Sequence, residues 1–312
     1  MSLPLPDMLR IAVAAAVLIP ASVQDWKERR ADDRYWMAGG AAGIALLLWD
    51  LMGSQPSVLH LSLALAIMWI YMDVFWSGEE IFGDEGMNLK GWNSLRLILY
   101  IVSFSLFGLG FYLLWGDMLF FMLFSVLAMI LFIYLLYMFD VIKGGADAKA
   151  LIMLSILFPH YPAVSSVLPA LPLVPPLTPG SFSGLLTWEQ IFFPFSFVVF
   201  MTAALLSLLI PIAMLMFNIS RGDISFPQAL FGYRMPLDEV KNHHVWLMER
   251  VVDGRLRVFL FPKEDDSDQI AALEKRGVSE VWVNPKIPFL IPITAGLFVS
   301  LLLGNVLLLI VG

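Results

Sequence analysis

The feature that most constrains the fold of this chain is a series of long apolar runs. Eight of them occur, at 8–24, 35–52, 57–76, 95–115, 118–140, 148–172, 190–217 and 287–311. Several approach the roughly 20 residues that a helix needs to cross the hydrocarbon core of a bilayer. Only 14% of the 312 residues are charged, whereas a soluble domain carries about 25%. The chain is therefore predicted to be an all-α polytopic membrane protein with about eight transmembrane helices.

The placement of lysine and arginine predicts how these helices are oriented. Basic residues lie in the first loop, beside the third and fifth loops, and between Arg221 and Lys286, while the second, fourth and sixth loops contain none. Loops rich in Lys and Arg stay in the cytoplasm. The odd-numbered loops are therefore predicted to be cytoplasmic, and both termini are predicted to lie outside the cell membrane.

One stretch, 218–286, has the composition of a water-soluble unit. Its predicted elements are two β-rich runs at 245–251 and 256–261, a short helix at 268–276 and a strand at 280–283. Asp253-Gly254 favours a hairpin turn between the first two runs, and Gly277 is a typical helix stop. We therefore predict a transmembrane catalytic domain at 1–217 with about seven helices, a small cytoplasmic β-β-α-β module at 218–286, and a final transmembrane helix at 287–312. A proline-rich outer loop is predicted from Pro159 to Glu189.

Composition excludes several kinds of functional site. The sequence contains no cysteine, which removes disulfides, thiolate metal ligands and cysteine nucleophiles. It also lacks the HExxH pair of a helix-borne zinc site, and His243-His244 are expected to be surface or turn residues. The net charge of -7 provides no basic field that would attract nucleic acid. We therefore predict no thiolate or HExxH metal site and no nucleic-acid partner, and we expect no cofactor.

Two aspartates stand out, because ionisable residues at membrane depth are expensive and are usually functional. Asp25 ends the first apolar run and is followed by Trp26-Lys27-Glu28-Arg29-Arg30. Asp147 opens the sixth run, directly after Gly144-Gly145-Ala146. Taken alone, Asp25 reads as an interfacial residue and Asp147 as an N-terminal helix residue that the helix dipole favours. The small residues change this interpretation, because they let another backbone come close, as a bound extended peptide must.

Two carboxylates that are held together have the chemistry to hydrolyse a peptide bond. The ionised member takes a proton from water, and the protonated member donates a hydrogen bond to the scissile carbonyl. Neighbouring carboxylates share one proton, because both cannot ionise at short distance. The loop orientation places Asp25 and Asp147 on the same side of the membrane. This placement permits them to form a catalytic pair, in which Gly144, Gly145 and Ala146 would admit the substrate backbone.

Three segments carry a resemblance to a known family. Gly144-Gly145-Ala146-Asp147-Ala148-Lys149 resembles the GxGD-type signature of the archaeal preflagellin and prepilin peptidases, and Asp25 with its basic cluster resembles their first catalytic position. The stretch from Trp282 to Gly296, with Gly304-Asn305 further on, resembles a C-terminal region of some archaeal members. The resemblance implies a membrane-embedded aspartic endopeptidase with Asp25 and Asp147 as catalytic residues. It would remove basic leader peptides from archaellin and type IV pilin-like precursors at the cytoplasmic membrane face, without a metal.

Two features depart from the family pattern. Ala31-Asp32-Asp33-Arg34 stands where the family often has an Ile-Pro-Asn-like turn. Four apolar runs lie between the two aspartates, whereas compact members of the family have two helices there. Inserting a pair of helices leaves both aspartates on the same side of the membrane.

Several alternatives remain open at this point. Asp140 is a rival second carboxylate, and Asp73 is a weaker one. An acidic run, formed by Glu79, Glu80, Asp84 and Glu85, is either a solvated connection or a surface that attracts the basic leader. Ser155 and Lys149 lie on nearly opposite faces of one predicted helix and do not suit a serine–lysine peptidase. The alternative functions are a presenilin-like intramembrane protease of other substrates, a proton- or cation-coupled transporter that uses the membrane aspartates, and a non-enzymatic scaffold of an assembly machine.

Overall fold

The computed structural model describes residues 5–75, 82–83, 86–88, 90–162, 193–260 and 267–305. The chain divides into two compact units, Met1–Ala203 with Phe289–Gly312 and Ala204–Pro288. The four residues of the acidic run, Glu79, Glu80, Asp84 and Glu85, lie outside the described residues. Residues 163–189 of the predicted outer loop also lie outside them.

Helices dominate the described part of the chain. They are α1 Leu5–Glu28, α2 Asp33–Gly53, α3 Val58–Asp73, α4 Trp92–Leu113, α5 Met118–Met138, α6 Gly145–Leu157, α7 Phe195–Ser207, α8 Leu209–Arg221, α9 Gln228–Phe231, α10 Ser267–Glu274 and α11 Leu290–Leu303. Two short strands, β1 Phe82–Gly83 and β2 Gly86–Met87, pair between α3 and α4.

The predicted eight spanning helices are confirmed only in part. Among the residues that the structure describes, five stretches are long and apolar enough to cross a membrane, namely α1, α2, α4, α5 and the stretch Phe195–Arg221 that holds α7 and α8. Helices α3 and α11 are apolar but shorter, and α6 has 13 residues before it ends at Leu157. Each predicted run therefore contains a helix, and the chain is mostly helical as expected, but eight spans are not confirmed. Pro159 and Pro162 follow α6, and proline disfavours continuation of a helix.

Close packing of three helices positions the two aspartates of interest. A Cβ added to Gly39 of α2 would lie 2.8 Å from the Sδ of Met153 in α6 and 3.4 Å from Val17 of α1. One turn further along α2, a Cβ on Gly43 would lie 3.1 Å from the Cα of Leu157. Helix backbones approach this closely only where side chains are absent. The glycines of α2 therefore bring α1 and α6 together.

A buried ionic cluster joins the ends of the same three helices. Arg10 of α1 is fully buried. Its Nε donates to the carbonyl oxygen of Leu157 at 2.8 Å, and its guanidinium also donates to the carbonyl oxygen of Leu46 at 3.2 Å. Arg10 pairs with the carboxylate of Asp50, which also lies 3.3 Å from the Nε2 of His160. A charge this deeply buried is tolerated because it is paired and hydrogen-bonded.

Helix α11 packs against α1 within the first unit. The hydroxyl oxygens of Ser22 and Thr294 lie 2.7 Å apart, and the hydroxyl of Ser22 also donates to the carbonyl oxygen of Leu290 at 3.1 Å. A Cβ on Gly296 would lie 2.9 Å from the carbonyl oxygen of Val199 in α7. The C-terminal helix is therefore fixed one turn before Asp25.

The second unit contains a small sheet region, as expected for this part of the chain. Its strands are β3 Tyr233–Pro236, β4 Val245–Leu247, β5 Glu249–Val252, β6 Arg255–Val258 and β7 Glu280–Pro285. An antiparallel sheet has the order β3-β7-β4, and β5 and β6 form a separate hairpin. The core includes Leu247, Leu273 and Val281, which are completely buried.

The β-β-α-β order was only partly right for this unit. The hairpin turns at Asp253-Gly254, both with positive φ, and helix α10 and strand β7 follow as predicted. The predicted run 245–251 instead contributes strands to two sheets, with β4 ending at Leu247 and β5 beginning at Glu249. Between them, the amide of Met248 donates to the carbonyl oxygen of Trp282 at 2.9 Å. Strand β3 was missed, since a run of four residues that ends in proline carries little strand signal.

Candidate active site

Asp25 lies in the last turn of α1, where the chain reverses into α2. The amide of Arg29 donates to the carbonyl oxygen of Asp25 at 2.9 Å, and Arg29 then takes a φ of 56° that ends the helix. The amide of Asp32 donates to the side-chain Oε1 of Gln24 at 3.2 Å. The loop from Asp25 to Asp32 is therefore tied back to the end of α1, and the Asp25 side chain is half-buried.

Arg29 supplies a positive charge beside Asp25. Burial lowers the pKa of the Arg29 guanidinium, and the negative charge of Asp25 opposes this by raising it. The guanidinium carbon also lies 5.4 Å from the centre of the Trp26 ring, a cation–π arrangement that holds the side chain in place. Asp25 is thus balanced by a cation from its own loop.

Asp147 lies in the first turn of α6, and its side chain is largely buried. Gly144 caps the helix without a side chain, and its carbonyl oxygen accepts from the amide of Ala148 at 3.1 Å. A Cβ on Gly144 would lie 2.9 Å from the Cγ of Asp147 and would collide with its Oδ2. The other carboxylate oxygen, Oδ1, is buried and has no hydrogen-bond partner within the described residues. An unpartnered buried carboxylate oxygen is costly, and such cost is typical of functional sites.

The structure brings the two predicted aspartates within electrostatic reach of each other. The charge of Asp25 acts directly on the carboxyl group of Asp147, and α1 contacts α6. The small residues predicted to admit substrate lie at the same position. A Cβ on Gly145 would lie 3.6 Å from the phenol oxygen of Tyr137, and Ala146 packs against the core of the helical unit. A carboxylate pair beside a loop of small residues has the elements needed to activate water next to an extended peptide.

An ion pair lies next to these aspartates. The Nζ of Lys149 donates to both carboxylate oxygens of Asp33, at 2.7 Å and 2.8 Å. It also lies 5.3 Å from the centre of the Phe75 ring. Sequence reasoning missed this pair. The charges and their predicted sidedness were visible, but Asp33 and Lys149 are 116 positions apart, and their pairing depends on how α2 packs against α6.

The rival residues have other surroundings. Asp73 accepts hydrogen bonds from Arg96 at 2.7 Å and 2.8 Å, and from the phenol of Tyr100 at 2.7 Å. A carboxylate so fully engaged is suited to joining α3 and α4. Asp140 is exposed, with a φ of 55°, just beyond the end of α5.

The serine–lysine and histidine alternatives can be placed as well. The hydroxyl of Ser155 donates to the carbonyl oxygen of Leu151 at 2.8 Å, and its oxygen lies 3.0 Å from the hydroxyl oxygen of Ser196, while Lys149 is engaged by Asp33. The Nδ1 of His243 lies 3.0 Å from the carbonyl oxygen of Glu239. Across the ranges that the structure describes, there is no group of three or more His, Asp or Glu residues that could hold a metal ion.

Comparison with known proteins gives two matches. The family model described as Archaeal Peptidase A24 C-terminus Type II matches residues 225–306. A preflagellin peptidase from Methanococcus voltae is 27% identical over 178 residues, which make up 55% of this chain and 67% of that protein. Both matches support a peptidase role, and the apolar helices together with the relative indicate a multi-pass membrane protein. They agree with the resemblance seen in the sequence and support an archaeal preflagellin peptidase family.

Proposed function

We propose that this protein is an aspartic endopeptidase in which Asp25 and Asp147 hydrolyse the peptide bond. The observation that carries the proposal is the carboxyl group of Asp147. One of its oxygens is buried without a hydrogen-bond partner in the described part of the chain, and the charge of Asp25 acts on the same group. A structural carboxylate would be expected to have its oxygens satisfied, as those of Asp73 are. A catalytic carboxylate instead leaves an oxygen for water or substrate.

The chemistry follows from two carboxylates that hold one proton between them. The ionised carboxylate accepts a proton from water while the water oxygen attacks the scissile carbonyl carbon. The protonated carboxylate donates to the carbonyl oxygen, which becomes a hydroxyl of a tetrahedral intermediate. Collapse of this intermediate breaks the C–N bond: the departing amine takes the proton that the first carboxylate received, and one hydroxyl of the intermediate returns its proton to the second carboxylate. No covalent bond to the enzyme forms.

The substrate class follows from the family and from the predicted topology. The relative in Methanococcus voltae is named as a preflagellin peptidase. We propose that this chain removes basic leader peptides from preflagellin and type IV pilin-like precursors at the cytoplasmic face of the cell membrane. The apolar segment of the precursor would lie in the bilayer, and its leader would lie in the cytoplasm. Gly144, Gly145 and Ala146 would admit the backbone around the scissile bond, because small residues allow a close approach.

The test is cleavage of a tagged preflagellin by membranes that contain the protein. Wild type is expected to shorten the substrate at the leader junction. Asp25→Asn or Asp147→Asn each removes a carboxylate and is expected to lower the rate about 100- to 10,000-fold without loss of protein from the membrane. Asp140→Asn is the matched control, because Asp140 is exposed at the end of the preceding helix, and it is expected to cleave normally.

Two results would contradict the proposal. Full activity of either Asn variant at Asp25 or Asp147 would remove that residue from the mechanism. Uptake of a solute driven by a proton or cation gradient, without any cleavage, would favour the transporter class.

A further inference from the structure

We propose that Lys149 and Asp33 are a positioning pair. The pair sets the register of α6 along α2 and thereby the position of Asp147, along the axis of α6, relative to Asp25. The inference rests on the proposed function, because it concerns the same site. Lys149 donates to both oxygens of Asp33, and the pair joins the helix that carries Asp147 to the first turn of the helix that follows Asp25.

The exposure of the pair argues against a role in stability. The side chain of Lys149 is 25% exposed and that of Asp33 is 51% exposed. Exposed ion pairs contribute only about 0 to 1 kcal/mol to stability. The geometry is nevertheless well defined, because Lys149 makes two short bonds and also lies over the Phe75 ring. A contact with this geometry constrains the relative position of α2 and α6, although it contributes little to the free energy of unfolding.

The spacing along α6 shows how the pair acts on Asp147. Residues two apart on a helix do not face each other, so Lys149 points toward α2 while Asp147 points elsewhere. Lys149, Met153 and Leu157 follow at intervals of four and form one stripe. Met153 and Leu157 meet the glycines of α2, at Gly39 and Gly43. These contacts are close and apolar, and at the C-terminal end of α6 the carbonyl oxygen of Leu157 accepts a hydrogen bond from Arg10. At the N-terminal end, which carries Asp147, the Lys149–Asp33 pair is a directional contact with α2 and opposes a shift of that end along the axis.

The same pair is connected to Asp25 through the first loop. Asp33 is the first residue of α2, and the preceding loop is tied to α1 by the bond from the Asp32 amide to Gln24 and by the bond from the Arg29 amide to Asp25. Lys149 therefore binds the residue that follows a short loop, and that loop is hydrogen-bonded to the turn that contains Asp25. Misplacement of a reacting group by about 1 Å can cost about 100-fold in rate, which is the size of effect that such a clamp would prevent.

The test is a double-mutant cycle measured on preflagellin cleavage. Lys149→Met and Asp33→Asn are each expected to lower kcat about 10- to 100-fold with little change in KM. The double variant is expected to be no worse than either single variant, because each change already breaks the pair. Lys149→Arg keeps a cationic donor and is expected to recover most of the rate. Arg34→Met is the matched control, since Arg34 is 91% exposed in a 3.8 Å pair with Asp32, and it is expected to behave as wild type.

A second readout does not depend on activity. The chain has no cysteine, so Asp25→Cys and Asp147→Cys introduce a unique thiol pair that a short bis-maleimide reagent can join. Adding Lys149→Met to that background is expected to slow the cross-linking about fivefold or more, as the two positions move apart by about a helical residue. Adding Arg34→Met is expected to leave the rate unchanged.

Each outcome decides the inference. It is overturned if kcat of Lys149→Met stays within about twofold of wild type, if the effects of the two single changes multiply in the double variant, or if cross-linking is unaffected by Lys149→Met. If wild type cleaves no precursor, the proposed function fails, and the cross-linking rates alone decide whether the pair sets the register.

Discussion

The variant Gly144→Ala tests whether the carboxyl group of Asp147 needs the space that the absent side chain of Gly144 leaves. The added Cβ would lie 2.9 Å from the carboxyl carbon of Asp147 and would collide with its Oδ2. Nonbonded carbon atoms prefer a separation of about 3.5 to 4.0 Å. The carboxyl group must therefore move by roughly 1 Å. A displacement of that size corresponds to about a 100-fold loss in rate, or about 2.7 kcal/mol of transition-state stabilisation.

Folding is expected to be nearly unaffected by this change. Gly144 has φ -87° and ψ 116°, a backbone conformation that alanine adopts without strain. Alanine is a poorer helix cap than glycine, but it restricts the unfolded chain, so the net change in stability is expected to be below about 1 kcal/mol. The variant should therefore accumulate in membranes like wild type while losing activity.

The assay is a measurement of kcat and KM for preflagellin cleavage, with thermal unfolding of the purified protein in parallel. Gly108→Ala is the control, because a Cβ there meets nothing within 4 Å. Gly145→Ala offers a second comparison. Its Cβ would make only an ordinary 3.6 Å contact with Tyr137, so it is expected to raise KM by crowding the substrate rather than to lower kcat. Wild-type kcat for Gly144→Ala, or an equal loss in Gly108→Ala, would refute the reasoning.

Three further predictions concern stability. Arg10→Met leaves the buried carboxylate of Asp50 without its cation and is expected to destabilise the protein by about 3 to 5 kcal/mol, measured by thermal unfolding in detergent. Gly43→Ala forces the backbones of α2 and Leu157 apart and is expected to cost about 1 to 3 kcal/mol in the same assay. Burial raises the pKa of Glu249 above 4.5, so its contribution to folding is present at low pH and is lost as pH rises through the raised value. Glu249→Gln is expected to remove this loss of stability with rising pH. Amide hydrogen exchange in strand β5 would then show greater protection in the variant than in wild type at neutral pH.

The sequence predicted those features of the candidate site that a local sequence pattern determines. Apolar runs located the helices, and the distribution of basic loop residues predicts that Asp25 and Asp147 lie on one side of the membrane. The small residues before Asp147 marked its loop as unusual. These inferences depend on neighbouring residues alone, and the structure brings the two aspartates within electrostatic reach of each other.

The missed features depend on contacts between distant segments. The bond between Asp33 and Lys149 requires the register of α2 against α6, and the cluster around Arg10 requires three helix ends to meet. Arg10 lies in the N-terminal part of α1 and is completely buried. Strand β3 was missed because its pairing with β7 comes from far along the chain. In each case the deciding partner is absent from any local window of sequence.

The central claim is that Asp25 and Asp147 meet at one site. Cross-linking tests it most directly, because the chain contains no native cysteine. Asp25→Cys combined with Asp147→Cys is expected to be cross-linked rapidly by a short bis-maleimide reagent in native membranes, and much faster than Asp25→Cys combined with Asp140→Cys. Equal rates for the two combinations, or no joining of the first, would show that the aspartates of α1 and α6 do not form a pair.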